Sequence, residues 1–366
     1  MAPAFRALIS GYYGFGNVGD EAILAGLLQG FRDLAPEAAL TVLSGDPAAT
    51  EAEHGVSAWP RGLRSAARAV RQTDLLVSGG GGLLQDATSW RSPLYYLWIL
   101  QMAQKRGARV ACIGHSVGPL RRGWVRRRTR GTLEKVDVIA VRDHRSQETL
   151  QALGLRHPVE VTGDLAFLLP RPPEEETARA WAQVGLGKEG AAAALALRRL
   201  PGGAVGPELE IAAAAVSACE RIGVRPVLVP MQHAVDLELA EAIAARHPSV
   251  AVVRAKLTAR ETLALLSGFD LVVAMRLHAL IFAAIAGVPP VAISYDPKVD
   301  GMMGELGLPV AASCATFSAA ALTAAIAEAW RSRPAIAARL AARAPQLAAA
   351  ARRNIELCVE LMGRER

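Results

Sequence analysis

Read from its N-terminus, the chain alternates short apolar runs with longer stretches whose apolar residues recur at helical spacing. The runs at 6–10, 39–43, 74–77, 109–113, 137–141 and 158–161 predict strands. The segment Leu168–Glu176, rich in proline and glutamate, then breaks the alternation and reads as a linker. A second series follows at 191–197, 225–229, 250–253, 270–274 and 290–294, and the tail from about 333 is an Ala/Arg/Leu helical stretch. Strands and helices in strict alternation predict an α/β protein with mostly parallel sheets, built as two Rossmann-like domains facing each other across a cleft. The expected boundaries are an N-terminal domain over 1–167, a linker over 168–176, a C-terminal domain over 177–345 and a final helix over 346–366. That helix is expected to pack back on the N-terminal domain.

Composition adds limits to this picture. With 366 residues, 52% hydrophobic and 20% charged, the chain has apolar material for two cores. The formal charge of +7 rests almost wholly on arginine, since lysine occurs only at 105, 135, 188, 256 and 298. We read this excess, with the abundant alanine, as coding composition rather than as a sign of nucleic acid. The cysteines at 112, 219, 314 and 358 have no paired spacing, so neither a zinc knuckle nor a disulfide framework is expected. The N-terminus has no signal-peptide layout, and the apolar stretch Ala279–Ile293 is interrupted by Gly287, Pro289 and Pro290. A cytoplasmic protein without a membrane span is expected.

Chemistry concentrates at the ends of predicted strands. Gly14, Gly16 and Gly19 satisfy G-x-G-x-x-G after the first strand. A dinucleotide pyrophosphate would sit on the following helix N-terminus, where Asp20 and Glu21 would repel it. Those acids also have a structural reading, as favourable partners of the first helical turn. The loop suits a hydroxyl-rich ligand better, with Asn17 and backbone N–H groups as donors. Gly79 to Gly82 follow the strand at 74–77, and four glycines exceed what a turn needs, which points to close backbone approach by a ligand. Neither loop carries a Walker lysine, so a P-loop is excluded. Further on, His115 and Arg142 follow predicted strands, each as a ligand contact or, respectively, a loop histidine and a local ion pair with Asp143.

The most informative pair of strands is 271–275 and 290–294. The first runs into Arg276 and His278, the second into Lys298, so parallel pairing would bring an Arg, a His and a Lys to one sheet edge. That set suits a small polyanion that also needs a proton. The arginine-rich stretch Arg121–Arg130, with Trp124 inside it, is read first as a solvated helix face, second as a membrane-surface contact and last as a nucleic-acid patch. No His-Glu-x-x-His, Gly-x-Ser-x-Gly or Asp-rich triad occurs, so neither a metal nor an organic cofactor is expected.

Taken together, Gly14–Ala22, Ser78–Asp86, Val141–Asp143, Val161–Asp164 and Met275–His278 resemble the polysaccharide pyruvyl transferase family, in order and over most of the chain. The resemblance is closest to members that modify the secondary cell-wall polymer anchoring S-layer proteins. It implies a GT-B-like fold, phosphoenolpyruvate as donor, and an N-acetylmannosamine unit of a lipid-linked glycan as acceptor. The product would be a 4,6-linked pyruvate ketal, with phosphate released. By the same resemblance Arg142, His278 and Lys298 match the donor-site positions.

The residues suit that chemistry on their own terms. Arg142, Arg276 and Lys298 are expected to hold the phosphate and carboxylate of phosphoenolpyruvate through charge-assisted hydrogen bonds. His278 is the expected general acid or base, since the methylene carbon must gain a proton and a sugar hydroxyl must lose one. Gly14, Gly16, Asn17, Asp20, Gly80, Gly81, Gln85 and Asp86 are expected on the acceptor side. Two rivals stay open: a GT-B glycosyltransferase using a nucleotide sugar, and a non-catalytic glycan- or anion-binding protein.

Overall fold

The computed structural model describes residues 4–87, 89–187, 189–200 and 206–364. The chain divides into two compact units. One comprises Met1–Phe15, Asp20–Leu169 and Leu347–Arg366, the other Gly16–Gly19 and Pro170–Gln346.

The first unit is built on seven parallel strands: β1 (Arg6–Tyr13), β2 (Ala39–Ser44), β3 (Ser57–Pro60), β4 (Leu75–Leu84), β5 (Arg109–Val117), β6 (Val138–Val141) and β7 (Glu160–Val161). Their order is β3-β2-β1-β4-β5-β6-β7, so the direction of winding reverses between β1 and β4. The second unit holds β8 (Ala192–Ala196), β9 (Arg225–Leu228), β10 (Ala251–Val252), β11 (Leu271–Ala274), β12 (Pro290–Ser294) and β13 (Val310–Ser313), in the order β10-β9-β8-β11-β12-β13. Here the reversal falls between β8 and β11. In open parallel sheets such reversal points, at the carboxyl ends of the strands, are where ligands bind.

The central strands are apolar along their whole length, as in AAALA of β8 and LVVA of β11, because helices cover both faces. Two strands escape the sequence pattern. SAWP of β3 and VAAS of β13 are short and weakly apolar edge or near-edge strands. A larger difference concerns β4, predicted to stop at residue 77. It continues through Gly79–Gly82 because these residues pair with β5, Gly79 opposite Ile113 and Gly81 opposite His115. Gly80 and Gly81 have φ of 65° and 77°, a left-handed excursion within the strand that glycine tolerates. A Cβ on Gly80 would lie 2.4 Å from Ile23 Cγ2, so the glycine also lets helix Val18–Leu34 rest directly on the strand.

The Thr162-Gly163-Asp164 segment is explained by packing within the first unit. Thr162 Oγ1 donates to Asn354 Oδ1 at 2.8 Å, and Asn354 Nδ2 donates to the carbonyls of Gly163 and Ala351 at 3.1 and 3.0 Å. Helix Arg333–Gly363 passes so close that a Cβ on Gly163 would meet backbone atoms at 3.1 Å. Asn354 is fully buried. Asn354→Ala would therefore leave the Gly163 carbonyl without its side-chain donor and the Thr162 hydroxyl with only its longer bond to the Val141 carbonyl, at 3.2 Å. It is expected to lower the unfolding free energy of this unit by about 2 kcal/mol, seen as an earlier urea transition.

His115, within β5, is 2% exposed, and its Nε2 lies 3.0 Å from the Ser78 carbonyl. A carbonyl only accepts, so Nε2 carries the proton. Burial first, with help from nearby Arg142, lowers the imidazole pKa to about 4 from its ordinary 6.5. The folded protein thus keeps His115 neutral where the unfolded chain is already protonated. The stability this provides is complete above pH 6.5 and is lost as pH falls from 6.5 towards 4, by roughly 3 kcal/mol in all. The unfolding free energy of wild type minus that of His115→Gln should fall across this window, and a difference independent of pH would contradict the assignment.

Candidate active site

In the second unit, three adjacent parallel strands end close together, β8 and β11 level at Ala196 and Ala274 and β12 two residues further on, at Ser294. Ala274 of β11 pairs with Ala196 of β8 on one side and Ala292 of β12 on the other. The first polar side chains beyond these ends are Arg198 after β8, Arg276 after β11, and Tyr295 after β12, followed there by Asp296 and Lys298. The backbone N–H of Arg276 points at the carbonyl of Ala196 at 3.4 Å, which ties the turn after β11 to the end of β8.

Arg276 is the N-cap residue of helix Leu277–Ala286, whose first turn carries His278. Its Nη2 donates a short hydrogen bond to Asp236 Oδ1 and lies 3.5 Å from Gln232 Oε1. The Asp236 carboxylate is 2% exposed and also accepts the backbone N–H groups of Met231 and Gln232, at 3.2 and 2.9 Å. Arg276 Nε is buried and makes no hydrogen bond with any described residue. Buried donors are nearly always satisfied, so this one marks a place where an acceptor would be favourable.

Residues 16–19 belong to this unit, and their role differs from phosphate binding. Asn17 forms a bridge with Gln232, and the Val18 N–H donates to the Met231 carbonyl at 3.0 Å. Asn17 Oδ1 accepts the Gly19 N–H at 3.0 Å. A Cβ on Gly19 would stand 2.1 Å from His278 Nδ1, so the third glycine of the motif makes room for the imidazole. Gly16 has φ of 68° and open space beside it, with Lys256 Cε 3.9 Å from a Cβ built there.

Lys298 lies at the start of helix Pro297–Glu305, where Asp296 caps its N–H at 3.1 Å and stands 3.7 Å from its ammonium. The ammonium is also 5.4 Å from the centre of the Tyr295 ring, over which the Arg198 guanidinium sits at 4.4 Å. Arg198 Nη1 donates to the Tyr295 hydroxyl at 2.8 Å. Burial would raise the Tyr295 pKa, yet Lys298 and then Arg198 stabilise its phenolate and hold it below its ordinary value. Arg198 and Tyr295 were not among the expected site residues. Their signal was present: each follows an apolar strand within two residues, the criterion that picked out Arg276. Asp236 and Gln232 carry no such signal, the first being buried in helix His233–Ala244 and the second being its half-buried N-cap residue.

The remaining expected residues lie in the first unit. Arg142 is 7% exposed, with Nη1 3.0 Å from Asp164 Oδ2 and Nε 3.4 Å from Asp143 Oδ2. It is thus a held guanidinium rather than a free one. The Gly14 N–H, at φ of 78°, donates to Glu21 Oε1 at 2.8 Å, which shows what the helical acid does for the loop. Asp20 is half-buried, with Oδ1 3.2 Å from a Cβ built on Gly81. Gln85 Oε1 accepts the Ala87 N–H at 2.9 Å.

Asp86 departs from expectation. It is 1% exposed, and its two oxygens accept the N–H groups of Arg121 and Arg122 at 2.6 and 2.8 Å. Burial opposes its charge, but those donors and the Arg122 guanidinium hold its carboxyl below the usual range. Asp86 pins a loop and offers nothing to an acceptor. Of the four glycines, only Gly82 is exposed with nothing near a built Cβ, so it alone keeps the reading of open backbone approach. Tyr12 and Phe15, 37% and 41% exposed, stack at 4.3 Å beside that edge of the first sheet and were likewise not expected as site residues.

A family model described as polysaccharide pyruvyl transferase matches residues 17–297. No curated protein matches. Among solved structures, the chain is similar to Anabaena Alr3699/HepE in complex with UDP, with a TM-score of 0.63 at 15% identity over 97% of this chain and 99% of that one. A glycosyltransferase from Rickettsia africae ESF-5 gives 0.64 at 10% identity, covering 99% of both chains. The UDP-GlcNAc 2-epimerase from Methanocaldococcus jannaschii gives 0.60 at 12%, over 88% and 91%. At such identities the likeness shows the fold, a two-domain α/β protein of GT-B type. The family match spans most of the chain, including the loop at residues 17–19 and the strand ends that carry Arg198, Arg276, His278 and Tyr295, and the chain belongs to the polysaccharide pyruvyl transferase family.

Proposed function

We propose that this protein transfers a pyruvyl group from phosphoenolpyruvate to a hexose of a lipid-linked cell-wall polysaccharide precursor. N-acetylmannosamine is the sugar we favour, from the resemblance to enzymes of the S-layer-anchoring polymer. The observation that carries the reading is the row of Arg198, Arg276 and Lys298 at one sheet edge, with His278 in the first turn after Arg276. A donor with a phosphate and a carboxylate needs several fixed cations, and its enol phosphate double bond needs a proton source beside them.

In this reading the cations hold both anionic ends of the donor, and Arg142 keeps the donor role that the resemblance gives it, oriented by Asp164. Protonation of the methylene carbon leaves an electron-poor carbon that one sugar hydroxyl attacks. The C–O bond to phosphate then breaks, and a second hydroxyl closes the ketal. One hydroxyl proton replaces the proton given to the methylene, and the other leaves with phosphate. His278 carries the proton in whichever step it serves. Asn17, Gln85 and the open backbone at Gly82 are assigned to the acceptor.

His278→Ala is expected to lower turnover by about 10²–10⁴-fold while phosphoenolpyruvate affinity changes little. An equal loss of donor affinity would make His278 a binding residue instead. Arg198→Ala removes a charged donor and should raise the KM for phosphoenolpyruvate on the order of 10–100-fold, with a smaller effect on kcat.

The rival donor, a nucleotide sugar, draws on the fold alone. Phosphorus NMR of the protein incubated separately with phosphoenolpyruvate and with nucleotide sugars, each with acceptor glycan, separates the two. Inorganic phosphate from phosphoenolpyruvate, with a gain in acceptor mass equal to one pyruvate ketal, is expected. Consumption of a nucleotide sugar alone would overturn the proposal.

A further inference from the structure

The positive charge of the chain is not spread along it. Between Asp86 and Glu134 there is no aspartate or glutamate, while the same stretch holds ten lysines and arginines, six of them between Arg121 and Arg130. The rest of the chain then carries 31 Lys and Arg against 34 Asp and Glu. The whole excess therefore sits in one segment, which coding composition does not explain.

Within that segment the strand β5 is buried, and the six arginines from Arg121 to Arg130, with Arg91, make the exposed basic patch. Helices Arg91–Lys105 and Gly123–Leu133 pack on each other. The second buries Val125, Thr129, Thr132 and Leu133 and exposes Trp124, Arg126, Arg127, Arg128 and Arg130. Trp124 and Trp90, 41% and 40% exposed, are the exposed tryptophans among the described residues. They meet edge to face at 5.7 Å, and Arg91 sits 5.3 Å from the Trp90 ring. Arg121, Arg126 and Arg127 form no ion pair with a described residue. Beneath them, Asp86 fixes the Arg121–Arg122 backbone through the two hydrogen bonds given above.

A solvated helix accounts for exposed arginines but not for two tryptophans placed together among them. Tryptophan is enriched where an apolar phase meets water, and unpaired arginines are drawn to acidic headgroups. Single-stranded nucleic acid needs open ring faces for base stacking, which an edge-to-face pair flanked by arginine does not present. We propose that this face docks on an anionic lipid bilayer, with Trp90 and Trp124 in the headgroup layer and the arginines against acidic headgroups. Among the described residues no helix is long and apolar enough to cross a membrane, so the contact is peripheral. The patch begins just past the carboxyl end of β4, which brings the bilayer surface to the ligand edge of the first sheet. The inference rests on this surface alone and not on the pyruvyl-transfer reading.

Sedimentation of the full chain with vesicles of phosphatidylcholine, with and without about one-third phosphatidylglycerol, is the test, and it needs no substrate. Binding to the anionic vesicles alone is expected, weakening as salt rises. The double variant Arg126→Glu/Arg127→Glu should reduce partitioning on the order of 100-fold. Trp90→Ser/Trp124→Ser should reduce it several-fold at equal charge, compared at a temperature where circular dichroism shows the variant folded, and the arginine variant should melt like wild type because both of its changed side chains are exposed. Equal sedimentation with neutral vesicles, or none with either, would overturn the proposal. So would tighter retention on a duplex oligonucleotide that the same arginine variant abolishes.

Discussion

The ion pair between Arg276 and Asp236 is the contact on which the second unit's site depends. Asp236 is buried, and three donors converge on its carboxylate: the Arg276 guanidinium and the N–H groups of Met231 and Gln232. Those two backbone positions are the ones that meet Val18 and Asn17. One carboxylate thus fixes the turn after β11 and the segment onto which residues 16–19 are laid. Gly19 then accepts the imidazole of His278, which leaves Arg276 and His278 in a set relation before any ligand arrives.

The neighbouring ends of β8, β11 and β12 supply the other half of that geometry. Strands buried on both faces admit no charge, so the first cations appear where the sheet ends, and parallel pairing puts those ends on a single edge. The first unit uses its motifs differently. Thr162, Gly163 and Asp164 serve to dock the last helix and to hold Arg142, and Asp86 serves to pin a loop. Several motif residues that look like ligand contacts in a linear reading are thereby supports for the few that face outwards.

The fold class was legible because strand and helix alternate with clear apolar runs, and the cations after 271–275 and 290–294 were legible for the same reason. What escaped follows physical lines. The strands β3 and β13 are too short and too weakly apolar to stand out. The glycines of β4 read as a loop because propensity disfavours them in strands, while pairing with β5 overrides it. Nothing in Gly16–Gly19 announces that these residues group with the second unit, since their partners Met231, Gln232 and His278 lie more than two hundred residues away. Arg198 and Tyr295 were readable from strand-end position but stood next to less distinctive neighbours. The arginines at 121–130 read first as a solvated helix face, although the absence of any acid from residue 87 to residue 133 sets them apart from the arginine excess of the whole chain.

The function proposed for this member of a polysaccharide-modifying family has the second unit hold a small phosphorylated carboxylate beside a proton carrier. Calorimetric titration of the full protein with phosphoenolpyruvate, alongside a UDP-sugar, tests that claim most directly. The account predicts saturable phosphoenolpyruvate binding that weakens with salt and is lost when Arg198 and Lys298 are both replaced by methionine. A silent phosphoenolpyruvate titration beside saturable binding of the UDP-sugar would contradict it.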